Sequence, residues 1–175
     1  MSAKFLLVGT VAAGFAIFIW QSVSNTVIPW HEAALSQFKD ATAVNQTIRA
    51  NAPANGVYFT PQGILAAVSF APDMGDKTRN MAPALIKQLV IDLAAAFVLC
   101  LLVGRIASRG ALRTGITLAV AALAAAFVLQ LSDWNWYGFS TGYSAANIAD
   151  IVVQFFIAGL VLGALATREP QVAAP

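Results

Sequence analysis

The chain has 175 residues, 59% of them hydrophobic and only 10% charged, with a formal net charge of +2. A water-soluble domain carries about 25% charged residues, so a mean hydropathy of +0.73 argues against a water-soluble globule. The small net charge gives no case for nucleic acid as a partner, and the single cysteine, Cys100, excludes an intrachain disulfide.

The length is that of one domain, and four apolar runs divide it. The first, residues 5–23, follows Lys4 and is longer than a signal-peptide core. No small-x-small cleavage pattern follows it, so residues 1–24 read as an uncleaved first transmembrane helix. Trp20 at its far end, and Trp30 shortly after, suit the amphipathic belt at a membrane boundary.

Residues 25–82 form the long polar stretch, expected outside the membrane. Pro29 suits a first helical turn, and Leu35, Phe38, Ala41, Val44 and Ile48 recur every three or four residues. That spacing predicts one amphipathic helix over 29–50, with Glu32, Lys39, Asp40, Asn45, Gln46 and Arg49 on its other face. The turn cluster 52–56 precedes Val57-Tyr58-Phe59-Thr60, and Pro61-Gln62-Gly63 precedes the apolar run 64–70. These patterns predict a short β-hairpin over 57–70, and 72–77 reads as a linker.

Residues 83–167 hold three more spans, at 84–104, 111–131 and 146–166, completing a single domain. Each has about twenty residues and matches the ~30 Å hydrocarbon thickness of a bilayer at ~1.5 Å per residue. The third exits through 132–139, where Trp134, Trp136 and Tyr137 give a second aromatic belt. Residues 168–175 read as a frayed tail. The fold expected is an all-α integral membrane protein of four helices, with an amphipathic helix and a hairpin between the first two. Lys4, Arg105, Arg109, Arg113 and Arg168 fall on one side of such an arrangement, and the turn 133–143 has no Lys or Arg. The positive-inside rule then puts both termini in the cytoplasm; size and composition fit a bacterial inner membrane.

Polar side chains inside spans are expensive and mark sites by default. Gln88 and Asp92 lie four apart on the second span, and Asp150 and Gln154 four apart on the fourth. Gln130 and Asp133 lie near the end of the third. The six point to a polar pocket between the second, third and fourth spans, in the outer half of the bilayer, with Asp92 deepest and Lys87 and Gln21 at its boundary. The competing reading is interhelical hydrogen bonding that fixes helix register, which carries the larger weight. Gly159 and Gly163, spaced for close helix approach, point to packing on another helix, the Ala-rich third span in preference to a partner chain. His31, the one histidine, reads as a surface residue. No phosphate loop, CxxC, HExxH or GxSxG occurs, so no cofactor, metal or catalytic residue is expected.

Two functions compete. One is a structural or accessory subunit of a membrane complex, its partners the bilayer and other membrane protein subunits. The other is a small binding or transport protein that uses the polar pocket. A membrane enzyme is unsupported by any motif.

Overall fold

The computed structural model describes residues 2–70, 81–106 and 110–167. The linker 72–77, Arg109 and the tail 168–175 lie outside them. The chain is mostly helical. Four helices are long and apolar enough to cross a membrane: α1 (Ala3–Thr26), α4 (Ala82–Val103), α5 (Ala111–Tyr137) and α6 (Thr141–Ala166). Between α1 and α4 lie α2 (Trp30–Ala33), α3 (Ala41–Asn51) and strands β1 (Gly56–Phe59) and β2 (Leu65–Val68). Two compact units result: Leu35–Met81 is one, and the remainder of the chain is the other.

In the larger unit, caps written in the sequence set the helix ends. Ser2 Oγ accepts from Phe5 N at the start of α1, and Ser140 Oγ accepts from Tyr143 N at the start of α6. Both are side-chain N-caps. Gly138, at φ 71°, ends α5 in the left-handed conformation that glycine adopts freely. The aromatic run at Trp134, Trp136 and Tyr137 is therefore helical, and not the exit loop its composition predicted. Trp136 is 79% exposed, and Trp134 and Tyr137 are exposed beside it.

Packing order differs from chain order. α5 packs on α6, α6 on α1, and α1 on α4, while α4 and α5 share no packed interface. Glycines dictate this. A Cβ on Gly159 would lie 2.6 Å from Gly115 Cα, and one on Gly163 would lie 2.6 Å from the Gly110 carbonyl oxygen. The α5 and α6 backbones are thus in direct contact. A Cβ on Gly14 would lie 3.1 Å from Leu93 Cα, and one on Gly9 would meet Cys100 and Leu162. α1 thereby fits between α4 and α6. The core is Phe5, Ala13, Ile17, Ala96, Leu99, Cys100, Val103, Leu118, Ala158 and Leu162.

The predicted 29–50 helix is broken, and the smaller unit holds only its second part. α2 is a single turn, and α3 begins afresh after Asp40, whose side chain accepts from Ala43 N. That cap competes with continuous helix through 34–40, so Leu35 and Phe38 leave the stripe and are exposed. The hairpin forms, with β1 and β2 antiparallel and Phe59 opposite Leu65. Gly63, at φ 93°, makes its turn. Arg49 lies over the Phe70 ring, and Asn55 Oδ1 accepts from Phe70 N at 2.7 Å. The only buried residue described in this unit is Ala52.

Candidate functional site

The polar residues of α1, α4 and α6 meet along one seam. Gln88 Nε2 donates to both Asp92 Oδ1 and Gln21 Oε1, at 2.9 Å each. Gln21 Nε2 donates in turn to Gln154 Oε1 at 2.9 Å. Next along α6, Asp150 Oδ1 accepts from Trp20 Nε1 at 2.6 Å, and Asp150 Oδ2 lies 3.3 Å from His31 Nε2. Trp30 Nε1 donates to Ser24 Oγ at 3.0 Å, and Ser24 Oγ is 3.3 Å from the same His31 nitrogen. Trp20 and Trp30 pack edge to face, with centroids 6.3 Å apart, and Trp30 does the same to His31.

Helical period puts these groups together. Gln88 and Asp92 continue into Ala96, Leu99, Cys100 and Val103, the buried stripe of α4. Ala13, Ile17, Gln21 and Ser24 form the matching stripe of α1, and Asp150 and Gln154 share a face of α6. The four polar residues on α4 and α6 are bridged by α1, whose Gln21 is expected from sequence only at the boundary.

Gln130 and Asp133 stand apart. They lie on α5, across α6 from the seam, and neither side chain hydrogen bonds to it; only the Gln130 carbonyl accepts, from Ser144 Oγ. A pocket walled by the second, third and fourth spans is therefore replaced by a seam of the first, second and fourth. Close glycine contact draws α5 onto α6, where it cannot reach α4.

Asp92 is 2% exposed, and its Oδ2 has no hydrogen-bond partner. Counting along the helix, it lies roughly 15 Å from each end of α4, so it is at the middle of that helix. Lys87 is exposed, and the one imidazole–carboxylate contact among the described residues joins His31 and Asp150. Thr114 Oγ1 is the other buried orphan, pressed against Gly163 at the α5–α6 contact.

His31 is not a bare surface residue. Its side chain is 20% exposed and faces Asp150, itself 13% exposed. Ser24, His31 and Asp150 do not form a nucleophilic relay, because serine and carboxylate both approach the same ring nitrogen. The described residues hold no group of three or more His, Cys, Asp or Glu that could bind a metal. Trp20 and Trp30, expected only in a boundary belt, use their indole N–H groups inside the seam. The signal for α1 was present in Trp20, Gln21 and Ser24, polar-tipped side chains within five residues at one end of an apolar run.

Comparison with protein-family models, with curated proteins and with solved structures finds no match.

Proposed function

We propose that the chain is a multi-pass membrane protein that serves as a structural or accessory subunit of a membrane complex. In this reading α1, α4, α5 and α6 cross a bacterial inner membrane with both termini cytoplasmic, and the extracytoplasmic segment is the stretch expected at 25–82. The length and apolarity of the helices support the spans. Lys4, Arg105 and Arg113 at one end of them, with no Lys or Arg in the 138–140 turn at the other, support the orientation.

The accessory role rests on one observation, the hairpin's apolar face. Val57 and Phe59 on β1 stand beside Leu65 and Ala67 on β2, and all four are exposed. Val57 is 71% exposed and Phe59 69%. A two-stranded hairpin is marginal alone in water, and an exposed apolar face with open strand edges favours a protein partner. The test is gentle detergent extraction of the tagged chain followed by native mass spectrometry. A defined hetero-assembly, lost when Val57 and Phe59 are both changed to Ser, is the expected result. A solitary chain from its own membrane would count against the role.

A further inference from the structure

We propose that the Asp92 carboxylate is the binding site for one monovalent cation, a proton or an alkali ion, reached from the α2 side of the seam past Gln154, Gln21 and Gln88. The inference rests on the four helices crossing a bilayer and not on the accessory role.

Three observations carry it. Asp92 Oδ2 is the one buried acceptor of the seam without a partner among the described residues. Around it the amide and carboxylate oxygens of α1 and α6 are used: Gln21 Oε1 by Gln88, Gln154 Oε1 by Gln21, and the Asp150 oxygens by Trp20 and His31. The orphan is therefore not part of a disordered polar patch; it is the open position of an ordered one.

Second, no cationic side chain faces it. Lys87 is exposed, and α1 and α6 present amides and apolar groups at that depth. An ionised carboxylate in a dry interior requires a counter-charge and further hydrogen bonds, and nothing described in this chain supplies one. Third, the track of amides and carboxylates stops at Asp92; beyond it the one polar contact described between α1 and α4 is Thr10 Oγ1 to Cys100 Sγ at 3.8 Å. Beyond it the α4 stripe is Ala96, Leu99, Cys100 and Val103, all buried and apolar or weakly polar. The seam is thus a half-path that ends at mid-span, the geometry of a binding site and not of a conduit. A residue that merely fixed helix register through Oδ1 would have no need of a second, charged oxygen; asparagine would serve.

Lipophilic carbodiimide labelling of the detergent-solubilised full chain tests this, with the adduct located by mass spectrometry. Such reagents add to carboxyl groups in apolar surroundings. One series varies pH without alkali ions; another adds sodium or potassium chloride against choline chloride at fixed pH and ionic strength. The melting temperature is read in the same conditions. The other titratable groups facing the seam are His31, Asp150 and, two turns along α4, Cys100, so His31→Ala, Asp150→Asn and Cys100→Ala serve as controls.

The expected result is an adduct at Asp92 that the controls retain and Asp92→Asn lacks. A severalfold suppression by sodium or potassium, with a raised melting temperature, identifies an alkali ion. Suppression by rising pH alone identifies a proton. If Asp92→Asn does not fold, protection of the unmutated chain decides the matter. No adduct at Asp92 together with a melting temperature indifferent to pH and cation overturns the proposal, as does an equal response in folded Asp92→Asn. Either failure leaves recovery of a hetero-assembly unaffected, so the two readings fall separately.

Discussion

The two seams of the helical unit are built from opposite materials. Between α5 and α6 the backbones touch, Gly159 on Gly115 and Gly163 on Gly110 and Thr114, with the apolar Phe156 and Leu160 side chains against Gly115. Between α1, α4 and α6 the glycines admit the helices at one end, and at the other the contact is a chain of amides, indoles and carboxylates. A glycine seam gains from dispersion at close range and tolerates no added atom. A polar seam gains little per contact but fixes register, since every amide must find its partner. The first kind of seam holds helices together, and the second is able to hold something else.

This contrast orders the expected effects of substitution. The largest falls on the glycine seam. Alanine gains ~1 kcal/mol over glycine in helix propensity, yet Gly159→Ala should lower stability, because its Cβ would sit 2.6 Å from backbone that cannot move cheaply. Overpacking of this kind costs about 1–3 kcal/mol. Gly142→Ala, whose nearest neighbour would be Ala34 Cβ at 3.9 Å, should be neutral or stabilising. Thermal unfolding in a fixed detergent separates the pair, and equal loss in both would refute the close contact.

A middle-sized effect is expected in the polar seam. Trp20→Phe keeps the aromatic ring and removes the donor to Asp150. Interhelical hydrogen bonds in membranes average ~0.6 kcal/mol and reach ~1.7; this short, charge-assisted one belongs at the upper end. In a double-mutant cycle with Asp150→Asn, non-additivity of that order would measure the contact, and strict additivity would deny it. The smallest effects belong to Gln130→Leu and Asp133→Asn, which lie outside both seams and should stay within about 0.5 kcal/mol.

Much of the fold was legible because apolar length is a strong signal. Four runs predicted four long helices, and the i, i+4 pairs Gln88/Asp92 and Asp150/Gln154 predicted two polar faces that do converge. Helix adjacency was not legible. Periodicity says which face of a helix is polar and not which helix it meets, so the three later spans, joined by short connections, looked like one group. Gly9 and Gly14 of α1 were the missed clue: they allow approach to α4 and α6, much as Gly159 and Gly163 allow approach to α5. His31 was misjudged for a related reason. It sits six residues from Asn25 in sequence, but a single turn of helix at α2 folds it back against Asp150. Composition alone makes the aromatic run before Gly138 look like a loop, although the glycine itself marks where the helix stops.

α1 lies between α4 and α6 and carries the polar seam with it. Thiol cross-linking tests this most directly, in a Cys100→Ala background within native membranes and with one short bifunctional reagent. Gln21→Cys paired with Gln88→Cys should link in high yield, since the native side chains are in hydrogen-bond contact, and Gln21→Cys with Gln154→Cys should do the same. Gln88→Cys paired with Gln130→Cys should stay unlinked. Efficient linking of the Gln88 and Gln130 positions, with none from Gln21 to either neighbour, would put α4 against α5 and contradict the account.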